Sequence, residues 1–288
     1  MSEPHLEIRK TYKLYLGGAF PRSESGRSYE VLDHTGKFLA NVAQASRKDV
    51  RDAVLAARAG QAAWWRQSAA NRGLVLYRAA EMLEGRRSQM AELVAASEGV
   101  DRALADDQVS QSIDRLVWYA GWTDKLAQVR GGANPVAGPY FNQSVPEPTG
   151  VIGIVAPAES SLLGFVSVLA PVLASGNAAV IVASERRPLP AMEFAEVLAT
   201  SDLPAGVANI LAGRTDELAR PLATHHDLDG LDLAGVDLAV AGTLAAEAAA
   251  TITRVLLPIT DEDFTADPGL KRLTRFTEIK TVWHTAGR

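Results

Sequence analysis

The chain has 288 residues, 47% of them apolar, with 29 basic and 34 acidic side chains and a formal net charge of −5. That length and apolar content suit one large domain or two closely joined ones, and the even spread of charge leaves no electrostatic footprint for nucleic acid. Cysteine is absent, which excludes disulfides, thiolate metal sites and thiol catalysis by this chain's own residues.

The opening segment, MSEPHLEIRK, is polar and charged and lacks the apolar stretch and small-residue cleavage site of a secretory signal, so a cytoplasmic location is expected. YKLYLGGAF, residues 12–20, alternates around Gly17-Gly18 and predicts a hairpin; residues 28–42, around Gly36, predict a second pair of strands. Ser46 followed by Asp49 predicts a capping box opening a helix with Val50, Ala53, Val54 and Ala57 on its apolar face, closed by Trp64 and Trp65. Leu74, Tyr77, Ala80 and Leu83 form one further apolar stripe, and Ile113, Leu116, Ala120 and Leu126 another. The first 127 residues therefore read as mainly helical.

Residues 130–138 are rich in glycine and proline and mark a break before a polar strand-like run, Tyr140 to Pro146. Beyond it, GVIGIV, AAVIV, GVANIL, GLDLA and TITRVLL are short strand candidates separated by helical segments. The longest apolar run, Ser160 to Ala174, is shorter than the roughly 18 residues of a membrane span and contains Pro171, so it reads as a buried helix. Strand and helix alternating four times over imply parallel strands joined by right-handed crossovers: an α/β fold with a doubly wound parallel sheet. Near the end, Asp267 and Pro268 suit the start of a short helix, and FTEIKTVW suits a strand.

Isolated motifs carry little. His225 and His226 are adjacent and read as surface residues, not as metal ligands. Asp227, Asp229 and Asp232 imitate a calcium loop, but Gly230 comes too early and Leu238 stands where a terminal glutamate belongs. Gly36-Lys37 precedes Phe38 and forms no phosphate loop; Ser160 and Ser161 have no activating base nearby and read as helix initiators.

Six segments in register, LYLGGAF, VLDHTGKFLANVAQASRKDVRDAV, EPTGVIGIVAP, LASGNAAVIVASE, LPAGVANIL and FTEIKTVWH, resemble the aldehyde dehydrogenase superfamily. The match runs from residue 12 to about 257 as the cofactor-binding half, then resumes with that superfamily's C-terminal strand. The resemblance is strongest to the shortened dehydrogenase-like unit that follows a full one in two-unit aldehyde dehydrogenases. It implies an NAD-binding-type domain from residues 1–127 and 149–258, and a small β oligomerisation module from residues 128–148 and 259–288, with residues 275–284 beside residues 140–147. The catalytic domain, which supplies the family's cysteine and general-base glutamate, is missing between them.

Carried over position by position, the signatures are altered. The family's proline-tryptophan-asparagine, which holds the oxyanion, falls on Pro157, Ala158 and Glu159, and a carboxylate there repels an oxyanion. The lysine-proline-serine-glutamate that contacts the adenosine ribose falls on Val182, Ala183, Ser184 and Glu185; the phenylalanine-threonine-glycine-serine turn falls on Leu233, Ala234, Gly235 and Val236. Glu185 and Gly235 are thus the vestigial cofactor-binding candidates. Glu185 reads first as a solvated cap and Gly235 as a backbone requirement of the turn. No catalytic residue, metal or cofactor is expected, beyond residual weak NAD(P) binding. The resemblance implies an inactive subunit whose partner is a full-length aldehyde dehydrogenase or a second copy of itself. The alternatives are a nucleotide sensor and an NAD(P)-binding subunit whose active site is completed in trans.

Overall fold

A computed structural model describes residues 10–286; residues 1–9, on which the expected location largely rests, lie outside them. Among the described residues no helix is long and apolar enough to cross a membrane.

The N-terminal strands β1 (Thr11–Tyr12), β2 (Ser28–Leu32) and β3 (Phe38–Ala43) form a small sheet in the order β1-β3-β2. The hairpin expected around Gly17-Gly18 shrinks to one tight turn. Both glycines have positive φ, Leu16 bridges Ala19, and the flanking backbone finds partners elsewhere: β1 runs parallel to β3, and Tyr15 bridges Ile210 in the main sheet.

Helix α1 (Arg47–Arg66) opens on the expected capping box, with the Ser46 amide donating to Asp49 at 2.7 Å, and closes on Trp64, fully buried with its indole N–H on the Leu173 carbonyl. In α2 (Ala69–Gly85) the expected stripe holds at Ala80 and Leu83, which are buried, and fails at Leu74 and Tyr77, which are exposed while Val75, Leu76 and Ala79 are buried. The cause is Gly73. A Cβ there would sit 2.7 Å from Thr123 Oγ1 and 2.8 Å from the Ala120 carbonyl, so α2 turns its glycine face onto the chain at the end of α4 (Arg102–Ala120). Helices α3 (Arg87–Glu98) and α5 (Leu126–Arg130) complete the helical layer.

The chain then builds a separate three-stranded sheet and the main sheet. Strands β4 (Gly132–Ala133) and β5 (Tyr140–Pro148) precede β6 (Val151–Val155), β7 (Ala178–Val182), β8 (Ala208–Leu211), β9 (Gly230–Asp232) and β10 (Arg254–Leu256). The last five are all parallel, in the order β10-β9-β6-β7-β8. Every residue of β6, β7, β8 and β9 is buried, as a sheet covered on both faces requires. Helices α6 (Leu163–Ala174), α7 (Leu189–Ala199), α8 (Thr215–Ala223) and α9 (Leu238–Ala248) make the crossovers; all twelve residues of α6 are buried, with Pro171 inside it. The doubly wound α/β sheet is as the alternation of elements implies.

From β10 the chain reaches its final strand through residues 257–276, a folded cap. Leu273 and Phe276 are buried, Arg115 donates to the carbonyls of Phe264 and Ala266, and Arg272 inserts between Glu262, at 2.5 Å, and Asp232. The expected helix start at Asp267-Pro268 is corrected. Asp267 instead accepts from the Gly269 amide at 3.1 Å in a turn with Gly269 at φ +57°, and helix α10 begins at Lys271 (Lys271–Arg275). Strand β11 (Thr277–Thr285) then lies antiparallel along β5, from Thr277 opposite Pro148 to Thr285 opposite Tyr140.

Candidate functional site

Strands β6, β7 and β9 end side by side where the strand order reverses, the place at which open α/β sheets bind ligands. A groove of about 820 Å³ opens there, walled by Ala219 and Arg220 of α8 and by Val240, Leu244 and Glu247 of α9. It brings together both candidate cofactor residues, Glu185 and Gly235, with Ala158 and Glu159 on the loop after β6.

Their contacts define their roles. Glu185 accepts from the Thr215 amide at 3.0 Å and from Arg214 at 3.2 Å, so its carboxylate satisfies an orphan N–H in the first turn of α8. Gly235 donates its amide to the Val155 carbonyl, and a Cβ on it would lie 1.8 Å from the Ala156 carbonyl oxygen; no side chain is compatible with that approach. Val182 is fully buried inside β7 and offers the groove nothing. Ser184 ties the loops after β6 and β7 together, donating to the Ala158 carbonyl at 2.8 Å and accepting from the Arg187 amide at 3.2 Å.

The altered oxyanion position is a surface ion pair. Glu159 is exposed and held by Arg187, at 2.6 Å to its carboxylate and 2.6 Å to its carbonyl. Ser160 accepts from the Gly164 amide at 2.8 Å as a helix initiator, whereas Ser161 bonds through both its hydroxyl and its amide to Glu98. Asp229 accepts from Arg58 at 2.6 Å and from the Val151 amide at 2.8 Å, and His225 accepts from the Asp227 amide at 3.2 Å. Beneath the groove, burial pushes the Asp232 carboxyl up to about 6 against the pull of Arg272.

Two residues that matter here are missed by the sequence reading. Asp237 heads α9 with no side-chain capping bond and lines the groove where a helix N-terminus would otherwise favour an anion. Its place directly after the Leu233–Val236 turn was the available signal. Arg214, the partner of Glu185, is set by a crossover that no local pattern reports.

This lining decides whether a dinucleotide fits. The groove carries Glu159, Glu185, Asp216, Asp237 and Glu247 against Arg186, Arg214 and Arg220, and the last two arginines are engaged by Glu185 and Glu247. A pyrophosphate would meet a carboxylate at the head of α9, and a ribose would meet a glutamate already bonded to Arg214 and to the Thr215 amide. The residues present therefore do not fit NAD(P), and no chemical step is assigned to it.

The fold and the position of the groove define a dinucleotide-binding-type α/β protein. Residues 20–260 match the model of the aldehyde dehydrogenase family, to which the chain belongs. It is 34% identical over 238 residues to retinal dehydrogenase 2 of Mus musculus, covering 81% of this chain and 45% of that protein. Cytosolic 10-formyltetrahydrofolate dehydrogenase of Homo sapiens is 32% identical over 236 residues, 79% of this chain and 26% of that one. Among solved structures, an NAD+ complex of aldehyde dehydrogenase from Bacillus cereus superposes with a TM-score of 0.82 at 28% identity, over 85% of this chain and 50% of that chain. The chain thus spans about half the length, or less, of these relatives.

Proposed function

We propose that this chain is a catalytically inactive member of the aldehyde dehydrogenase family that serves as a structural or regulatory subunit, assembling with a full-length NAD(P)-dependent aldehyde dehydrogenase. The observation that carries this reading is the pairing of a cysteine-free sequence with Glu159, held by Arg187, in the loop that resembles the family's oxyanion-holding segment. Acyl transfer needs a nucleophile and a donor aimed at the developing negative charge, and these residues supply neither. Residues 1–127 and 149–258 then serve as scaffold, and residues 128–148 and 259–288 as the assembly module; the proposed setting is the cytoplasm.

Two measurements test it. Purified chain given NAD or NADP and a panel of aldehydes should show no turnover above background, and calorimetric titration with NAD should give no heat at millimolar ligand. Turnover abolished by a point change in this chain would overturn the proposal. Micromolar affinity without turnover would transfer support to nucleotide sensing or to a site completed in trans.

A further inference from the structure

Two buried arginines of this chain are held in different ways. Arg272 sits between two carboxylates, whereas Arg72, near the start of α2 and only 5% exposed, has none within ion-pair distance among the described residues. Its Nη1 donates to the carbonyl of Gln67 at 2.7 Å and to that of Trp65 at 3.5 Å, and its guanidinium carbon lies 4.9 Å from the centre of the Trp65 ring. Stacking occupies the face of a guanidinium and leaves its in-plane N–H groups free. Nε is buried without a partner, and Nη2 makes no hydrogen bond among the described residues. Those two nitrogens form an edge that can grip a carboxylate through two parallel bonds. Burial holds the group below the usual guanidinium range, with no carboxylate acting against it.

Arg72 lines a cavity of about 300 Å³ bounded by the start of α2, the turn between α4 and α5, the end of β5 and the first residue of β11. Leu126, Ala127 and Pro146 give it apolar walls beside the Trp65 ring. Its hydroxyls have committed their protons, Thr123 to the Ala120 carbonyl, Ser175 to that of Pro171 and Thr277 to that of Thr274, each at 2.9 Å. We propose that this cavity binds a small carboxylic acid as its anion, gripped by the Nε and Nη2 edge of Arg72, with a short carbon chain lying against Trp65 and Leu126. A buried charge is costly until it is paired, and the occupant supplies the counter-charge that the chain withholds. One planar edge matches the two oxygens of a carboxylate, whereas a phosphate dianion calls for a second cation. The other charged residues of the lining are Asp124 and Glu147, held by Lys125 at 3.7 Å and by Lys280 at 3.1 Å. The volume lies at the low end of the roughly 300–1,000 Å³ of small-molecule sites, so it suits an acid of a few carbons. The cavity shares no lining residue with the groove at the carboxyl ends of the sheet.

Propionate is the probe, added to the full chain at constant ionic strength against sodium chloride and followed by NMR. It should shift one arginine Nε–H resonance, the one missing from Arg72→Lys, and the Trp65 indole N–H, both saturably and with a Kd on the order of millimolar. Propionamide, which has the same shape without the charge, should move neither, and nor should inorganic phosphate. Arg72→Lys keeps the charge but loses the paired donors, so the indole shift should need about tenfold more propionate. Arg72 also holds the Gln67 carbonyl, so a second variant separates binding from folding. Ala127→Phe fills the cavity from an exposed position and leaves Arg72 untouched; it should abolish the propionate shifts with an unchanged unfolding temperature. Resonances that propionate leaves unmoved overturn the proposal, as do shifts that chloride reproduces or that survive Ala127→Phe. Saturable shifts from phosphate in place of propionate overturn the carboxylate assignment. None of these readouts depends on turnover, so the inactive-subunit reading stands or falls separately.

Discussion

The main sheet and the β5–β11 ribbon are both regular β-structure, yet they are held by different forces. Strands β6 to β9 are buried at every position, whereas β11 buries only Thr277 of its nine residues. Packing alone accounts for the sheet, since a covered parallel sheet is worth tens of buried methylenes. The ribbon has no such account within one chain: it is two strands wide over most of its length, and an isolated two-stranded ribbon is marginal in water. It is long, exposed and held to its neighbour strand mainly by backbone pairing, while the groove at the carboxyl ends of the sheet has turned its charged residues on one another.

The strongest way to break the comparison is at the cap that welds the two regions. Replacing Arg272 with Met leaves Asp232 and Glu262 without their shared cation, and should cost about 3–5 kcal/mol in denaturant unfolding at pH 7. An effect within error would show the cap to be an ornament. A smaller, pH-dependent effect should follow Asp232 itself. Its carboxyl stands at about 6 in the folded chain against about 3.9 in an unfolded one, so the fold holds that proton more tightly. Its contribution is therefore complete below about pH 4 and lost as pH rises through about 6. Scanned from pH 4.5 to 7.5, the Tm of wild type should fall by a few degrees relative to Asp232→Asn; parallel curves would place the carboxyl near its unfolded value. The smallest effect should come from the ribbon. Trp283→Ala, read on dilute chain, should change unfolding free energy by less than about 0.5 kcal/mol although it removes an exposed tryptophan packed edge-to-face on Tyr140. A large loss there would mean that the ribbon is part of one chain's stability and not an exposed assembly surface.

The sequence made the sheet legible because covered parallel strands read as short apolar runs between turn residues, and the capping box at Ser46 because its signal is local. It misled at Leu74 and Tyr77, where the close approach at Gly73, a tertiary constraint, turns the buried face toward Leu76 and Ala79. The positions of Glu185 and Gly235 were legible through the family resemblance; the partners that decide their roles, Arg214 and the Ala156 carbonyl, arrive from other crossovers and were not. Arg272 lies forty residues from Asp232, a pairing that no local pattern encodes.

The antiparallel ladder between β5 and β11 also imposes an order on biogenesis. Lys280 and Glu147, partners at 3.1 Å, are separated by 133 residues, a span that contains the whole main sheet. A ribosome therefore releases β5 well before the strand that will lie against it. During that interval the β5 edge that will bond to β11 stands open, while Pro146 and Pro148 weaken the opposite one. A long-range pairing of this kind closes late in folding, and an edge left open until then is exposed to pairing with neighbouring chains.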